Sequence, residues 1–375
     1  MSLEHPTWWD PHSDQPFKLA RSEKPRLKTA NLNEYLRTAF CALGSLPAIA
    51  WHYARPKRIA PPTPSDFVGL GVSPDHGSHQ AVSDLVEELG VQSLLLRVPS
   101  WHADRLDYYL DFAGRFKGRK LLINILQSRQ SVLNPSEWLE TVDRVIDAFY
   151  PLTTTFQIGN AINRSKWGCH HTGEYLELLK GVDNLRTHRP DLVLGGSSVI
   201  DFEPLATIRT LINGCRYHLD ACTSALYVNR RGSPYSHQYR FFDLERKIRL
   251  IRAITEASNR CAPRVWVTET NWPPLDTKPY TPNSGLPRST VDEATQAKYL
   301  TDYYRIAYQT GLVERVYWWQ LINPGYGLVD HRHGMIRKMP SFNAFAKLLA
   351  GDLLQDQESG NLDRHLADTR AASHQ

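Results

Sequence analysis

Short apolar runs alternate with longer amphipathic stretches from residue 66 onward. The short runs have the length of buried strands, and apolar positions in the longer stretches recur every three or four residues, so the alternation predicts repeated β–α units. The predicted strands cover residues 66–73, 92–98, 120–126, 154–160, 192–198, 220–227, 264–270 and 315–321. Eight such strands predict a protein of the α/β class with a closed (β/α)8 barrel, the TIM barrel.

The stretches between these strands predict helices, among them residues 81–89, 138–149, 175–186 and 242–258. The clearest predicted helix runs from Asp292 to Thr310. Thr290 stands three residues before Glu293, which is the spacing of a capping box, and Gly311 is placed to end the helix.

Residues 1–65 are predicted to form a basic N-terminal extension. They contain nine Lys and Arg residues against five Asp and Glu, so most of the net charge of +5 lies here. Residues 39–51 are apolar apart from Ser45, contain Gly44 and Pro47, and are too short for a membrane-spanning helix, which needs about 20 residues. Two interpretations stay open: a helix packed against the outside of the barrel, or an interfacial anchor whose basic flanks contact anionic lipid.

The domain organisation follows from a proline-rich segment. Pro61-Pro62-Thr63-Pro64 is typical of a stiff linker, which places the end of the N-terminal extension at residue 65. The barrel is then predicted to occupy residues 66–350, and the polar residues 351–375 are predicted to be a C-terminal tail.

Charge and cysteine content limit the partners and the cellular compartment that the sequence predicts. The chain after residue 65 is almost neutral, which argues against a nucleic-acid partner. The five cysteines are scattered, which favours a reducing compartment, and the N-terminus lacks the pattern of a secretory signal. We therefore expect a cytoplasmic protein, peripheral to the inner membrane if residues 39–51 are an anchor. The sequence lacks a phosphate-binding loop and the ligand spacing of a metal site, so no cofactor or metal is predicted; it leaves the oligomeric state open.

One carboxylate stands out as a candidate catalytic group. Glu269 ends the seventh predicted strand, next to Asn271 and Trp272, which are residue types common in sugar sites. In barrels of this kind the carboxyl ends of the strands carry the chemistry. Glu269 therefore predicts a nucleophile for a glycosidic bond, and the alternative is a structural carboxylate that pairs with an arginine.

The ends of four predicted strands resemble those of clan A glycoside hydrolases, with nearest similarity to the family 39-like branch. In that clan the fourth strand ends in Asn-Glu, the sixth in Tyr and the seventh in the nucleophilic Glu, while the eighth offers a Trp. The matching residues here are Asn160, Tyr227, Glu269 and Trp318 or Trp319. The resemblance covers roughly residues 66–350, and its specificity comes from four matches in the right strand order.

The resemblance implies a role for each matching residue. Glu269 is expected to be the nucleophile, Tyr227 to hydrogen-bond it, and Arg97 to be the basic group beside it. Asn160 is expected to bind the sugar 2-hydroxyl. With Glu269 as nucleophile, the reaction would retain the anomeric configuration.

Aromatic residues near the strand ends predict a saccharide cleft. The resemblance implies that Trp318 or Trp319 lies under the reacting sugar. Trp167 and Trp272 also stand beside predicted strand ends, and Asn163 joins them as a predicted sugar-binding residue after the fourth strand. Core packing is the alternative for each aromatic residue.

Ala161 departs from the pattern because it takes the position of the acid/base residue. A retaining glycosidase needs a second carboxyl group about 5–5.5 Å from the nucleophile. A methyl group neither donates nor accepts a proton, and help from a general acid is worth roughly 10²- to 10⁴-fold in rate. An engineered substitution and a natural loss both explain Ala161. His170 and His171 after the fourth predicted strand, and Asp201 and Glu203 after the fifth, are candidates for the missing role, and a solvated loop residue is the alternative for each.

Two functions therefore stay open. The first is a carbohydrate-active enzyme, a retaining glycoside hydrolase or transglycosidase, that acts on an oligosaccharide or glycan through Glu269 and is impaired by Ala161. The second is a non-catalytic saccharide-binding protein that kept the barrel and lost the proton donor. The family likeness implies a glycan of bacterial surface-polysaccharide or lipopolysaccharide assembly in either case.

Overall fold

The computed structural model describes residues 3–20, 22, 31–281 and 289–352, without the side chain of His333. Its strands are β1 (Trp9–Asp10), β2 (Gln15–Pro16), β3 (Val68–Val72), β4 (Ser93–Pro99), β5 (Lys120–Leu126), β6 (Thr155–Ile158), β7 (Val193–Ile200), β8 (Ala221–Ala225), β9 (Val265–Thr270), β10 (Arg315–Trp318), β11 (Val329–Asp330) and β12 (Arg337–Lys338). Strands β3 to β10 are parallel and close into a barrel in which β10 pairs with both β3 and β9. The predicted TIM barrel is confirmed.

Helices alternate with the barrel strands along the chain. They are α1 (Leu32–Ala54), α2 (Pro64–Phe67), α3 (His79–Leu89), α4 (Leu106–Gly114), α5 (Arg129–Leu133), α6 (Pro135–Phe149), α7 (Thr172–Leu178), α8 (Pro204–Leu211), α9 (Leu244–Glu256), α10 (Glu293–Thr310) and α11 (Pro340–Leu349). Short 3-10 helices lie at Ser100–His102, Ser165–Trp167, Val182–Thr187, Asn229–Arg231 and Arg332–Gly334. None of the described helices is long and apolar enough to cross a membrane.

Two details of the predicted helices are wrong. The helix predicted over residues 175–186 is broken, because Gly181 adopts a φ of +81° and separates α7 from the 3-10 helix that follows. The cap of α10 is Asp292, whose side chain accepts a hydrogen bond from the backbone of Thr295, rather than the predicted Thr290. Gly311 ends α10 in the left-handed conformation, as predicted.

Alternation of side chains along the strands builds two apolar layers. On β4, Leu94 and Leu96 belong to the large core between strands and helices, whereas Leu95 belongs to a smaller cluster inside the barrel. Because side chains alternate between the two faces of a strand, Arg97 shares the inner face with Leu95. Tyr227 lies six residues, an even number, after Ala221 of the inner cluster, so the same two-residue alternation places Tyr227 on the inner side. The strand register thus delivers polar side chains to the mouth of the barrel.

The N-terminal residues cross this mouth. The strands β1 and β2 form an antiparallel hairpin, here called the N-terminal hairpin (residues 9–16). The Tyr326 hydroxyl donates to the carbonyl of Ser13 (3.0 Å), and Asn323 Nδ2 donates to the carbonyl of His12 (3.1 Å). The hairpin is therefore tied to the loop that follows β10, and it contributes to whatever the mouth binds.

Helix α1 packs on α8 and α9 and runs without interruption through Gly44 and Pro47. Glu34 on α1 binds Arg209 on α8, with oxygen–nitrogen distances of 2.8 and 3.1 Å. His52 lies 3.0 Å from Glu256 of α9. The segment predicted at residues 39–51 is thus part of a longer helix attached to the outside of the barrel.

Candidate active site

A cavity of about 960 Å³ lies at the mouth of the barrel, where the strands end. Glu269, Arg97, Tyr227 and Trp319 line it from the barrel side. Residues 13–15 of the N-terminal hairpin line it from above the mouth. The cavity is within the range of roughly 300–1,000 Å³ that is usual for sites that bind small molecules.

A bulge in β9 turns Glu269 into this cavity. Val267 pairs with Val316 of β10, but Thr270 pairs with Trp318, so β9 has one more residue than β10 between these two pairs. Strict alternation would send Glu269 to the helix side of the strand together with Val267. An extra residue reverses the direction of the next side chain, which is a recurrent use of bulges near active sites.

Both carboxylate oxygens of Glu269 have partners. Arg97 Nη2 donates to Oε2, and the hydroxyl of Tyr227 donates to Oε1. Burial, and next the negative charge of Glu269, raise the pKa of Tyr227 well above its ordinary value, so the phenol keeps the proton that it donates. Arg97 and Glu269 are only 8% and 9% exposed, so salt screens their attraction little. The carboxylate is thereby fixed in one orientation.

Aromatic and amide groups hold these partners in turn. The guanidinium of Arg97 lies 3.6 Å from the ring centroid of Trp319. The guanidinium of Arg231 lies 3.5 Å from the ring centroid of Tyr227. Asn271 Nδ2 donates to the carbonyl of Trp319 (2.7 Å) and to the Tyr227 hydroxyl (3.3 Å). The geometry around Glu269 is therefore determined by a connected set of contacts.

Asp14 brings a second buried carboxylate to the site from the N-terminal hairpin. It lies 3.0 Å from His76 Nε2 and accepts a hydrogen bond of 2.5 Å from Gln320. Burial alone would raise the pKa of Asp14, but the charge and hydrogen bond of His76, together with Arg97 and Gln320, lower it below 3.8. Burial also opposes protonation of His76, yet Asp14 raises its pKa above 6.5. The two groups therefore form a buried ion pair that anchors the hairpin.

Ala161 lies in an apolar cluster and does not line the cavity. It is fully buried with Trp9, Leu126 and Trp167. The ring centroids of Trp9 and Trp167 are 5.7 Å apart in an edge-to-face arrangement. The position of the expected acid thus belongs to a buried apolar cluster with two tryptophans, one of which comes from the N-terminal hairpin.

Asn160 precedes Ala161 and is also buried. Its backbone N–H donates to Gln127 Oε1 (2.8 Å), and its carbonyl accepts from Gln127 Nε2 (2.8 Å). Among the described residues, its side-chain nitrogen has no hydrogen-bond partner. Asn160 does not line the cavity, so its predicted contact with a sugar hydroxyl stays a prediction.

Other charged residues line the cavity on the side of β6 and β7. Arg164 binds both Asp201 (2.7 Å) and Glu203, so these two carboxylates are paired with a cation. Lys166 is half-buried and donates a hydrogen bond to Gln15 of the hairpin. Burial lowers the pKa of Lys166 to about 8, although Glu269 opposes that shift.

Three of the predicted sugar-binding residues lie elsewhere. Trp272 and Trp318 are fully buried and stack on each other with centroids 6.1 Å apart, because both occupy the helix side of their strands. Asn163 uses its amide to bridge the backbone of Ile200, donating to its carbonyl and accepting from its N–H at 2.9 Å each. None of the three lines the cavity, and their roles in binding sugar stay predictions. Trp167 and Trp319 do line the cavity.

Several cavity residues were missed by the sequence analysis, namely Asp14, Gln15, Lys166 and Arg231. Asp14 and Gln15 lie in a polar segment without periodicity, and nothing in the sequence links that segment to the barrel. Lys166 follows the fourth predicted strand closely enough that its position alone could have suggested it. Among the residues that the structure describes, no group of three or more His, Cys, Asp and Glu side chains is arranged to hold a metal ion.

Comparisons by sequence find no relative. No protein-family model matches the chain, and no curated protein matches it either. Comparisons by structure do find a common fold with several glycoside hydrolases, all at low sequence identity.

A family 39 glycoside hydrolase from the gut symbiont Bacteroides cellulosilyticus WH2 is 16% identical, with a TM-score of 0.56; the match covers 79% of this chain but only 65% of that enzyme. The family 1 β-glucosidase from Thermotoga maritima is 11% identical, with a TM-score of 0.54, and the match covers 78% and 98% of the two chains. The virulence factor SghA of Agrobacterium tumefaciens, solved with its substrate analog salicin, is 11% identical, with a TM-score of 0.53 and coverage of 81% and 98%. These neighbours are clan A glycoside hydrolases, and the likeness shows a shared barrel fold.

Proposed function

We propose that the chain is a carbohydrate-active enzyme of the family 39-like type that attacks the anomeric carbon of a glycan with Glu269. The observation that carries this proposal is the bulge in β9, which places Glu269 in the cavity between Arg97 and Tyr227. A strand-end carboxylate that is only structural would not need a cavity in front of it. The fold shared with clan A glycoside hydrolases supports the same conclusion.

The contacts of Glu269 suit a nucleophile. Arg97 supplies the opposite charge, and the Tyr227 hydroxyl donates to the other carboxylate oxygen. On attack, one oxygen of Glu269 bonds to the anomeric carbon while the bond to the leaving group breaks, and water or a second sugar then releases the glycosyl group with retention. Trp319 lines the cavity beside Arg97 and offers an apolar ring to the sugar.

The proton for the leaving group does not come from position 161. Ala161 is fully buried in one apolar cluster with Trp9, Leu126 and Trp167, and we expect a longer acidic side chain there to require rearrangement of this cluster. We infer that the loss of the acid is a natural property of this fold and that it is not a local substitution. The leaving group of the natural glycosyl substrate then departs without protonation, or it takes its proton from another group of the substrate or from water.

A covalent label tests this function. A 2-deoxy-2-fluoroglycosyl fluoride needs no acid because fluoride leaves unprotonated, and the fluorine at C2 slows release of the glycosyl group. We expect glucosyl, galactosyl or xylosyl members of this class to add one sugar mass to the peptide that contains Glu269. Glu269→Gln should abolish the label. The matched control is Glu314→Gln, since Glu314 directly precedes β10, beside the start of β9 and away from Glu269, and is bound to Arg264.

The second function is a saccharide-binding protein without turnover, here proposed for a glycan of bacterial surface-polysaccharide or lipopolysaccharide assembly. The apolar cluster that contains Ala161 and Trp9 favours it, because this cluster offers no proton donor at the position that the family likeness gives to the acid. It predicts calorimetric binding of oligosaccharides with no label on Glu269. Labelling of wild type but not of Glu269→Gln would contradict the second function, whereas binding without labelling would contradict the first.

A further inference from the structure

We propose that α1 is a membrane-contact helix that lies on the surface of a bilayer rich in anionic phospholipid. The inference does not depend on the proposed enzymatic function. It is carried by the distribution of side chains on α1, whose leucines and phenylalanine are exposed and accompanied by basic residues.

The face of α1 toward the barrel mixes polar and apolar side chains. Glu34 binds Arg209 within α8, Thr38 and Ser45 donate hydrogen bonds to carbonyls of α1 itself, and His52 pairs with Glu256. Ile49 is buried in the core, and Cys41, Ala42 and Tyr53 are partly buried against it. Attachment to the barrel therefore uses none of the leucines of α1 and not its phenylalanine.

The opposite face carries the large apolar residues. These residues recur at helical spacing and are 56–80% exposed; together they form the outer stripe of α1: Leu32, Leu36, Phe40, Leu43 and Trp51. Phe40 and Leu43 are the most exposed, at 80% and 73%. Residues spaced by three or four positions share one side of a helix, so Leu32, Leu36, Phe40 and Leu43 form a continuous row, and Trp51 lies about two turns further along α1.

A helix such as α6, by contrast, buries its large apolar side chains against the barrel. On α6 the residues Trp138, Val142, Ile146 and Phe149 are buried against the core. A soluble surface rarely exposes a row of large apolar side chains without a binding partner. The outer stripe of α1 therefore needs an apolar surface that is outside the described part of this chain.

The basic residues on and after α1 indicate which kind of surface the outer stripe contacts. Between residues 32 and 58 the chain has four basic residues, Arg37, Arg55, Lys57 and Arg58, and one acidic residue, Glu34. Glu34 is directed to Arg209, so the exposed side keeps the positive charges, and all four basic residues are exposed. Such a distribution is complementary to anionic headgroups, with the apolar side chains placed among the acyl chains.

The end of α1 adds a feature typical of the membrane interface. Trp51 is 58% exposed, and the guanidinium of Arg55 lies 3.8 Å from its ring centroid. Tryptophan prefers the headgroup level, where its ring is partly apolar and partly polar. A second copy of this chain would bring the same basic residues to the interface, which argues against self-association through the outer stripe.

Co-sedimentation of the full chain with vesicles tests the proposal. We expect binding to vesicles of equal parts phosphatidylcholine and phosphatidylglycerol, weaker binding to phosphatidylcholine alone, and release as salt is raised. Phe40→Ser with Leu43→Ser should weaken binding at least tenfold, because both substitutions remove apolar surface that would lie among the acyl chains. The matched control, Leu133→Ser on α5, removes a leucine that is 60% exposed and should bind as wild type does.

A second pair, Leu36→Ser with Trp51→Ser, guards against a folding defect in the first, and thermal melting must be unchanged in whichever pair is used. Wild type that does not bind the anionic vesicles overturns the proposal. So does a well-folded stripe variant that binds as tightly as wild type. Light scattering that shows a wild-type dimer, monomeric stripe variants and no vesicle binding would instead assign the stripe to a second copy of the chain and overturn the membrane contact.

Discussion

Trp9 of the N-terminal hairpin and Ala161 at the end of the fourth barrel strand share one buried apolar cluster. Under the proposed function, position 161 is where the acid of a retaining glycosidase is expected, and a residue of the hairpin belongs to the same apolar cluster. We therefore expect Ala161→Glu to give no gain in turnover of unactivated glycosides and to lower the melting temperature. A carboxylate buried without a partner is strongly disfavoured. Steady-state rates and thermal melting of the same preparation measure both effects.

Ala161→Gln is the control for that substitution. It has nearly the size of glutamate without the charge, so it separates overpacking from the cost of a buried carboxylate. A rise in rate of roughly 10²- to 10⁴-fold for Ala161→Glu, the amount expected of a general acid, would show that the site can accept the acid and that the loss is local.

The ion pair between Arg97 and Glu269 gives a second prediction. Arg97→Gln leaves a buried carboxylate without its counter-charge, and breaking such pairs typically costs about 3–5 kcal/mol. We expect a clear decrease in the free energy of unfolding, measured with urea, and loss of the covalent label. The double substitution Arg97→Gln with Glu269→Gln removes both charges and should recover part of the lost stability. Equal stability of the single and double variants would mean that the pair is not coupled.

The sequence predicted the barrel well because each strand combines a short apolar run with flanking breaks. It also placed Glu269, Tyr227 and Arg97 together, since the carboxyl ends of parallel strands meet at one mouth. The sequence did not show whether Trp318 or Trp319 faces the cavity, because that depends on which way each side chain points along β10. Trp319 follows the inward-facing Tyr317 by two residues, whereas Trp318 faces the helices.

The features that the sequence did not reveal depend on long-range contacts. The bulge that turns Glu269 inward depends on its pairing with β10, which no local pattern reveals. Asp14 pairs with His76 and Gln320, which are distant in sequence, so the polar segment that contains Asp14 gives no local sign of these contacts. The sequence shows that α1 is apolar without showing which of its sides packs on the barrel.

The pair of Asp14 and His76 predicts a pH dependence. The pKa of Asp14 is lowered below 3.8, so its stabilising contribution is complete above that pH and is lost as the pH falls through the lowered pKa. The pKa of His76 is raised above 6.5, so its contribution is complete below pH 6.5 and is lost as the pH rises through the raised pKa. We expect His76→Asn to lower the melting temperature most below pH 6.5 and progressively less in alkaline solution.

The control for this series is His237→Asn, because His237 is exposed and lies 3.9 Å from Asp243. Its effect on melting should be small at every pH. A difference between wild type and His76→Asn that stays constant across the series would show that His76 contributes packing and no charge.

The last prediction concerns Lys166, whose effect on stability changes with pH in the direction opposite to that of His76. Burial lowers the pKa of Lys166 to about 8 from 10.5, so the unfolded chain binds the extra proton between these values and stability rises with pH across that window. Lys166→Met should therefore raise the melting temperature at pH 7, and the gain should shrink as the pH approaches 10.5. Lys117→Met, at an exposed position, should change little. If Lys166 is kept for ligand binding, the stabilised variant should also bind oligosaccharide more weakly by calorimetry; lower stability at pH 7 would show that its hydrogen bond to Gln15 outweighs the cost of burying the ammonium group.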